Sequence, residues 1–168
     1  MPLDDSMMMM MMNQKTLKTD TPLSSCSCYP SQGLDVLPQT IARFRSNRDK
    51  ETANILEGVI YGEEVSHCAA GLKWFTWLWI RDQAKDFDDK EQKQKCLDEI
   101  SKISVSEIGN QTVETILQKY GLDLARVIET FHQTVRENFK GVLKPPFNHE
   151  ARAKAGFTKE WYEPLTVK

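Results

Sequence analysis

The chain has little of what most enzyme and nucleic-acid-binding motifs require. Its 168 residues include only 3 histidines and 8 glycines. It has neither a glycine-rich phosphate loop nor a Gly-x-Ser-x-Gly nucleophile motif. Lysines and arginines are scattered, and the formal net charge is −2, so nucleic acid is not an expected partner. These absences exclude the motif-defined nucleotide-binding and hydrolase classes.

Long apolar runs and alternating patterns are also missing. The most apolar stretch, Val65 to Ile80, is shorter than the ~20 residues that cross a bilayer, and it contains His67 and Lys73. No segment convincingly alternates apolar and polar residues as strands do, and no solenoid repeat is present. Apolar residues make up 40% of the chain, which suffices for the core of one domain. The sequence therefore predicts an all-α protein without a membrane span.

Methionine and cysteine are unevenly placed. All seven methionines lie within the first twelve residues, and the cysteines stand at positions 26, 28, 68 and 96. This spacing supports neither a disulfide framework nor a zinc ribbon. Residues 1–32 lack periodicity and a signal-peptide pattern, so we expect a disordered leader. An intracellular, cytoplasmic location is expected, with an organelle as the alternative.

Periodicity and capping residues predict one helical domain over residues 33–168. Asp35 is expected to cap a short helix from Val36 to Ser46. Asn47 or Asp49 is expected to cap a long central helix that ends near residue 81. Gly62 or Gly71 should mark places where a neighbouring helix approaches closely. Further helices are predicted up to residue 100 and over residues 112–120, 124–140 and 148–154, with caps at Asp123 and Asn148 and stops at Gly121 and Gly141.

Two ionisable residues interrupt the apolar stripe of the central helix. Glu64 and His67 lie in line with apolar residues at helical spacing, and buried ionisable groups are costly unless they are paired or bind a metal. Because they are three residues apart, they share a helix face. This is the Glu-x-x-His arrangement of di-iron bundles. The pattern predicts Glu64 and His67 as metal ligands, with a buried Glu–His hydrogen bond as the alternative. The apolar members of the stripe are Ala53, Leu56, Ile60, Gly71, Phe75 and Leu78.

A second Glu-x-x-His pair occurs later in the chain. Glu129 and His132 lie toward the flank of an apolar stripe that runs through Phe131 and Val135, so a solvated helix edge is the favoured interpretation. Near the end of the chain, Arg152 could hold an anion or a carboxylate bidentately. The alternative is a salt bridge that fastens the C-terminal segment to the bundle.

Three stretches resemble consecutive signatures of a known family. GLDVLPQTIARF, ILEGVIYGEEVSHCAAGLKWF and KPPFNHEARAKAGF are similar to uncharacterised ferritin-like proteins of domain-of-unknown-function family 455. EEVSHCAAG and EWYEPL resemble its plant members. The resemblance covers Gly33 to about Leu165. It implies a ferritin-like bundle with two Glu-x-x-His helices, two further glutamate helices, and a di-metal centre for oxidation or hydroxylation.

The chain departs from that family pattern in its ligand set. The first glutamate helix and the first Glu-x-x-His helix have no counterpart, and the glutamate before the Gly-Leu-Asp motif falls on Pro30. Only Glu64 and His67 match ligand positions. The resemblance therefore implies the C-terminal half of a ferritin-like protein, truncated at its N-terminal side.

We accordingly expect a partial ferritin-like bundle with a structural or interaction role and without catalytic residues of its own. Since half a bundle leaves an apolar face open, a homo-oligomer or a helical protein partner is expected. The competing hypothesis is an oxidoreductase-like metalloprotein that binds iron or manganese. Its site would be completed by dimerisation about a two-fold axis, or by the missing half.

Overall fold

The computed structural model describes residues 31–82, 87, 89–138 and 143–167. These ranges contain helices and turns and no strand, so the predicted all-α class is confirmed. Residues 1–30 of the expected leader, and Phe139 and Gly141, lie outside the described residues. The elements are α1 (Ser31–Ser46), α2 (Lys50–Ile55), a π-helical segment (Leu56–Ile60), α3 (Tyr61–Asp82), α4 (Lys90–Lys102), α5 (Asn110–Lys119), α6 (Leu124–Asn138), α7 (His149–Lys154) and two 3₁₀ turns (Lys159–Trp161 and Glu163–Thr166).

One continuous central helix runs from Lys50 to Asp82 and comprises α2, the π-helical segment and α3. Asp49 caps it, because its Oδ1 accepts a hydrogen bond from the Thr52 amide at 3.0 Å. In the π-helical segment the Tyr61 amide donates to the Leu56 carbonyl, five residues back. The long helix and the Asp49 cap were predicted correctly. The π-helical segment has no signature in the apolar pattern.

The second half of the central helix is the core of the fold. Helices α1, α4, α6 and α7 all pack against α3. From Cys68 to Ile80 only Trp77 is more than marginally exposed. Burial of this apolar surface is the main favourable term in folding. No residue of the predicted apolar stripe is exposed, so the face chosen from the spacing is confirmed.

The prediction that Asp35 caps α1 was wrong. Helix α1 includes Ser31, so Asp35 lies inside it and does not act as its cap. Pro38 also lies inside this helix. The physical reason is tertiary, because the Asp35 carboxylate accepts hydrogen bonds from the Asn148 amide and from Arg152 of α7. A side chain held by a distant helix is not available to cap its own.

The other end signals were read correctly. Gly121 follows α5 with a φ of 71°, and the Leu122 amide donates to the Leu117 carbonyl at 2.9 Å, as in a Schellman motif. Asp123 accepts a hydrogen bond from the Ala125 amide at the start of α6. Asn148 does the same for the Ala151 amide at the start of α7. Local capping chemistry therefore sets these helix ends.

Of the two glycines predicted to mark a close helix approach, Gly62 does not do so within the described part of the chain. A Cβ built on Gly62 would meet no atom within 4 Å, and the same holds for Gly58. Gly71, the other candidate, is buried, as a contact position requires. None of the helices in the described residues has the length and hydropathy that crossing a membrane requires.

Candidate functional site

Glu64 and His67 lie where the central helix passes from an open to a packed environment. Ser66 is exposed, His67 is half-buried and Cys68 is buried. Successive residues of a helix point about 100° apart, so His67 lies at the edge between the exposed and the buried faces. Glu64 is also half-buried. The two side chains therefore share a face that the rest of the chain covers only in part.

Helix α1 closes over Glu64. A Cβ built on Gly33 would lie 3.1 Å from Oε2 of Glu64 and 3.3 Å from its carboxyl carbon. Such a distance is tighter than an ordinary van der Waals contact, so a glycine at position 33 lets the two helices approach at this level. The start of α1 is consequently one wall of the Glu64 environment.

The donor set around Glu64 and His67 does not fit a two-metal centre. The described residues contain no group of three or more His, Cys, Asp or Glu side chains that could hold a metal ion. A di-iron bundle site needs a carboxylate from each of two helices and a Glu-x-x-His pair from each of two others. Within the described residues, Glu64 and His67 form the only Glu-x-x-His pair that lies on the partly covered face. Their ligand role stays a prediction.

Next to this face lies a buried ion pair between α1 and α7. The Arg152 guanidinium donates from Nε to Asp35 Oδ1 at 3.1 Å and from an Nη to Oδ2 at 2.6 Å. The Arg152 side chain is 1% exposed and that of Asp35 is 9% exposed. Such a bidentate pair satisfies the fork of the guanidinium. Of the two sequence interpretations of Arg152, the salt bridge that fastens the C-terminal segment is the one observed.

Asn148 joins three elements at the same level. Its backbone amide donates to Asp35 Oδ1 at 2.8 Å, and its Nδ2 donates to the Leu34 carbonyl at 3.2 Å. That carbonyl would ordinarily bond to the amide four residues later, but residue 38 is proline and has no N–H. Nδ2 of Asn148 also lies 2.9 Å from the Tyr61 hydroxyl on the central helix. The proline in α1 thus leaves an acceptor that α7 uses.

Aromatic rings enclose the guanidinium. The Arg152 carbon Cζ lies 4.8 Å from the Phe147 ring centre and 4.3 Å from that of Tyr162, within the range of cation–π attraction. The Tyr162 hydroxyl and His149 Nδ1 form a hydrogen bond at 2.7 Å. Burial raises the pKa of Tyr162. We call the set Asp35, Tyr61, Asn148, His149, Arg152 and Tyr162 the polar cluster.

The pKa of the Cys68 thiol is influenced both by Glu64 and by the Arg152–Asp35 pair. The pKa of its thiol is raised to about 12, mainly by burial and next by the negative charge of Glu64. The positive charge of Arg152 acts in the opposite direction, while Asp35 acts in the same direction as Glu64. Cys68 therefore behaves as a small buried hydrophobe and not as a nucleophile.

The second Glu-x-x-His pair lies elsewhere. Glu129 is exposed, as expected for a solvated helix edge. His132 Nε2 is 2.9 Å from the Glu160 carbonyl oxygen and 3.2 Å from that of Trp161, so that nitrogen carries the proton and donates. Burial lowers the pKa of His132. The structure does not bring this pair together with Glu64 and His67.

Sequence reasoning missed Asp35, Tyr61 and Tyr162 as members of the polar cluster. Tyr61 carried a usable signal, because a tyrosine in an apolar helix needs a partner for its hydroxyl. Asp35 gave no such signal, since an acidic residue near a helix start is ordinarily a cap. The partner of Asp35 is 117 residues further along the chain, a separation that no local pattern reports.

Comparison with known proteins gives one family. A family model described as "Protein of unknown function (DUF455)" matches residues 5–95 and 87–163. The two ranges together cover most of the chain and include α1, the central helix and the polar cluster. No curated protein and no solved structure matches the chain.

Proposed function

The chain belongs to the DUF455 family of proteins of unknown function, and from this premise we propose that it is a plant-type, ferritin-like helical unit that acts by associating with a second copy of itself. Its role is structural or interactive, and Glu64 and His67 do not form a complete di-metal site within one copy. The support comes from the uneven packing of the central helix.

Within the described part of the chain, one side of the first half of the central helix is exposed. Ile55 and Val59 are 51% and 50% exposed, and they are four residues apart, so they lie on the same side of the helix. A Cβ added at Gly58 or Gly62 would meet open space. Ser66, one turn beyond Gly62, is exposed as well. We call Ile55, Gly58, Val59, Gly62 and Ser66 the open face, and this single observation carries the proposal.

A second copy is the occupant that this face fits best. In a two-fold contact each patch meets itself, so a charged patch would place like charges together. None of the five residues of the open face is ionisable, although the exposed Glu51 lies one turn before Ile55. The glycines of the open face permit close approach of another backbone, and the exposed side chains of Ile55 and Val59 supply apolar surface to bury. A self-complementary contact is therefore physically consistent.

The alternative function is a metal-binding, oxidoreductase-like protein whose site two copies share. The specific observation in its favour is the position of His67, which is half-buried next to exposed Ser66. A partner on the open face would lie close to this edge. Such a pairing would supply two Glu-x-x-His helices, and neighbouring helices would have to supply the remaining carboxylates. Iron or manganese is the expected metal in this case.

Sedimentation velocity over a wide range of protein concentration tests the association. We expect the wild type to show a reversible monomer–dimer equilibrium, and Val59→Glu to weaken it at least tenfold. Gln92→Glu is the matched control, because it adds the same charge at an exposed position in the first turn of α4. A wild type that stays monomeric at every concentration, or a Val59→Glu variant that associates as well as Gln92→Glu, would contradict the proposal.

Metal analysis distinguishes the shared metal centre from the structural role. Purified protein is loaded with Fe(II) or Mn(II) and desalted, and bound metal is counted for wild type, His67→Ala and Val59→Glu. Metal retained by the wild type and lost in both variants would favour the shared centre. Dimerisation without retained metal would favour the structural role.

A further inference from the structure

A groove formed by residues 110–164 has the chemistry of a peptide-binding surface. It is an open groove of about 880 Å³ between α5, α6 and the C-terminal segment. Leu124 and Ile128, which are only 6% and 8% exposed, form its floor. The exposed Ala125 and Pro164 supply the apolar surface of its walls. This volume is in the range of sites that hold several side chains of a ligand. We call it the C-terminal groove.

The walls of the C-terminal groove carry an excess of negative charge. Four carboxylates line it, against one lysine. Lys159 lies 3.6 Å from Glu163, which is not part of the lining. Arg136, at one end, donates to the Pro164 carbonyl. The four carboxylates form no ion pair with another described side chain; they belong to Glu114, Asp123, Glu129 and Glu160.

The walls of the groove are joined to each other by hydrogen bonds that do not use these four carboxylates. His132 donates to the carbonyls of Glu160 and Trp161, so α6 is tied to the C-terminal segment across the groove. On the other side, the Trp161 indole N–H donates to Asn110 Oδ1 at 2.8 Å. The walls are therefore preorganised, which reduces the entropy that a ligand must lose on binding.

From this arrangement we infer that the C-terminal groove binds a segment of a partner protein that carries lysine or arginine side chains next to apolar ones. Apolar side chains would contact Ala125 and Pro164 next to the floor formed by Leu124 and Ile128. The cationic groups would meet Glu129 and Glu160 at the rim. Nucleic acid is excluded because its phosphates would face these carboxylates. A divalent cation is disfavoured, since the described carboxylates, histidines and cysteines form no group of three with metal-ligand geometry.

Binding of a labelled model peptide tests the inference. The probe is a fluorescein-labelled 14-residue peptide of leucine and lysine at helical spacing, measured by fluorescence anisotropy in 0.15 M NaCl, with a leucine–glutamate peptide of equal length as the negative probe. We expect saturable binding of the lysine peptide alone. The variant Glu129→Gln/Glu160→Gln should bind it at least tenfold more weakly, and Ala125→Lys, at an exposed position in the lining, should abolish binding.

The control is Glu51→Gln/Asp98→Asn, which removes the same charge at exposed positions outside the groove. It should retain the affinity of the wild type within twofold. Equal weakening in the control variant would show that net charge alone attracts the peptide, and this result would overturn the inference. So would absence of binding to the wild type, or displacement of the peptide by Ca²⁺ at stoichiometric concentration. Circular dichroism of each variant verifies that its helices are intact.

Discussion

Arg152 of α7 donates two hydrogen bonds to Asp35 of α1, and both side chains are removed from solvent. The pair connects the first described helix to the C-terminal segment, next to the central helix that carries Glu64. A buried pair of this kind makes a small net contribution to stability but becomes very costly when one partner is removed. It therefore makes correct docking of α7 on α1 nearly all-or-none.

We predict that Asp35→Asn lowers the free energy of unfolding by about 3–5 kcal/mol, because Arg152 is left as an uncompensated buried charge. The control is Glu57→Gln, which breaks the ion pair of Glu57 with Arg45, where both side chains are about half exposed. That change should cost less than about 1 kcal/mol. Urea unfolding followed by circular dichroism measures both. Similar losses in the two variants would show that the buried pair has no special role.

Gly156 is a second position where a small substitution should destabilise the fold. Its φ is 86°, and an added Cβ would lie 2.8 Å from Leu72 Cδ2 and 3.1 Å from the Gly109 Cα. Backbone strain and overpacking both oppose a side chain here, so Gly156→Ala should destabilise the fold by about 2–4 kcal/mol.

Gly121 is the matched comparison for Gly156. Its φ is 71°, but an added Cβ would meet nothing within 4 Å. Gly121→Ala should therefore cost only the backbone term, about 1–2 kcal/mol. Chemical denaturation of the two variants in parallel separates the cost of backbone strain from the cost of overpacking in the free energy of unfolding. A larger loss for Gly121→Ala than for Gly156→Ala would contradict the packing argument.

The two buried cysteines should be inert to alkylation in the folded protein. Burial is the largest cause that raises the pKa of Cys68 to about 12 and that of Cys96 to about 12. The thiolate is the reactive species, and almost none is present at pH 8. Iodoacetamide labelling at pH 8, read out by peptide mass spectrometry, should leave both residues unmodified. Both should label fully in guanidinium chloride. Rapid labelling of Cys68 without denaturant would contradict its assignment as a core residue.

His132 should make stability depend on pH. Its pKa is lowered in the folded state, mainly by burial, so the unfolded chain binds the proton at a higher pH than the folded one. Stability is therefore fully present above the ordinary histidine value of about 6.5. It is progressively lost as the pH falls through the folded-state pKa.

Unfolding free energies at pH 7.5 and pH 5 measure this effect. The loss on acidification should be smaller in His132→Gln, which has no imidazole to protonate, than in the wild type. Because His132 is only partly buried, the difference should be modest. The same loss in both proteins would show that other groups account for the acid sensitivity.

Local features of the sequence predicted much of the fold. Asp49, Asp123 and Asn148 were identified as caps because each side chain bonds an amide two or three residues away. Gly121 was identified as a helix stop because the end of the helix requires only a positive φ at this one residue. The face of the central helix that is not exposed followed from spacing alone. These are interactions within one helix or one turn, so a sequence window contains all their atoms.

The candidate site was predicted only in part. Spacing placed Glu64 and His67 on one face, but it could not show that α1 covers Glu64 at Gly33 while Ser66 remains exposed. The sequence also could not exclude Gly62 as a contact position, because a glycine permits a close approach without supplying the partner. The π-helical segment before Tyr61 was missed as well, since the four-residue spacing of Leu56, Ile60 and Glu64 fits α-helical and π-helical turns alike.

The sequence by itself therefore determined the helical class, most helix ends and the apolar stripe, because these depend on hydrogen bonds and periodicity over a few residues. The tertiary structure alone decided that Asp35 pairs with Arg152 and that Asn148 uses the carbonyl left free by Pro38. It also decided that one side of the central helix stays open among the residues that the structure describes. Each of these depends on which surfaces meet between elements far apart in the chain. Burial changes the energy of a charge or an unpaired carbonyl by several kcal/mol, and burial is a property of the assembled fold.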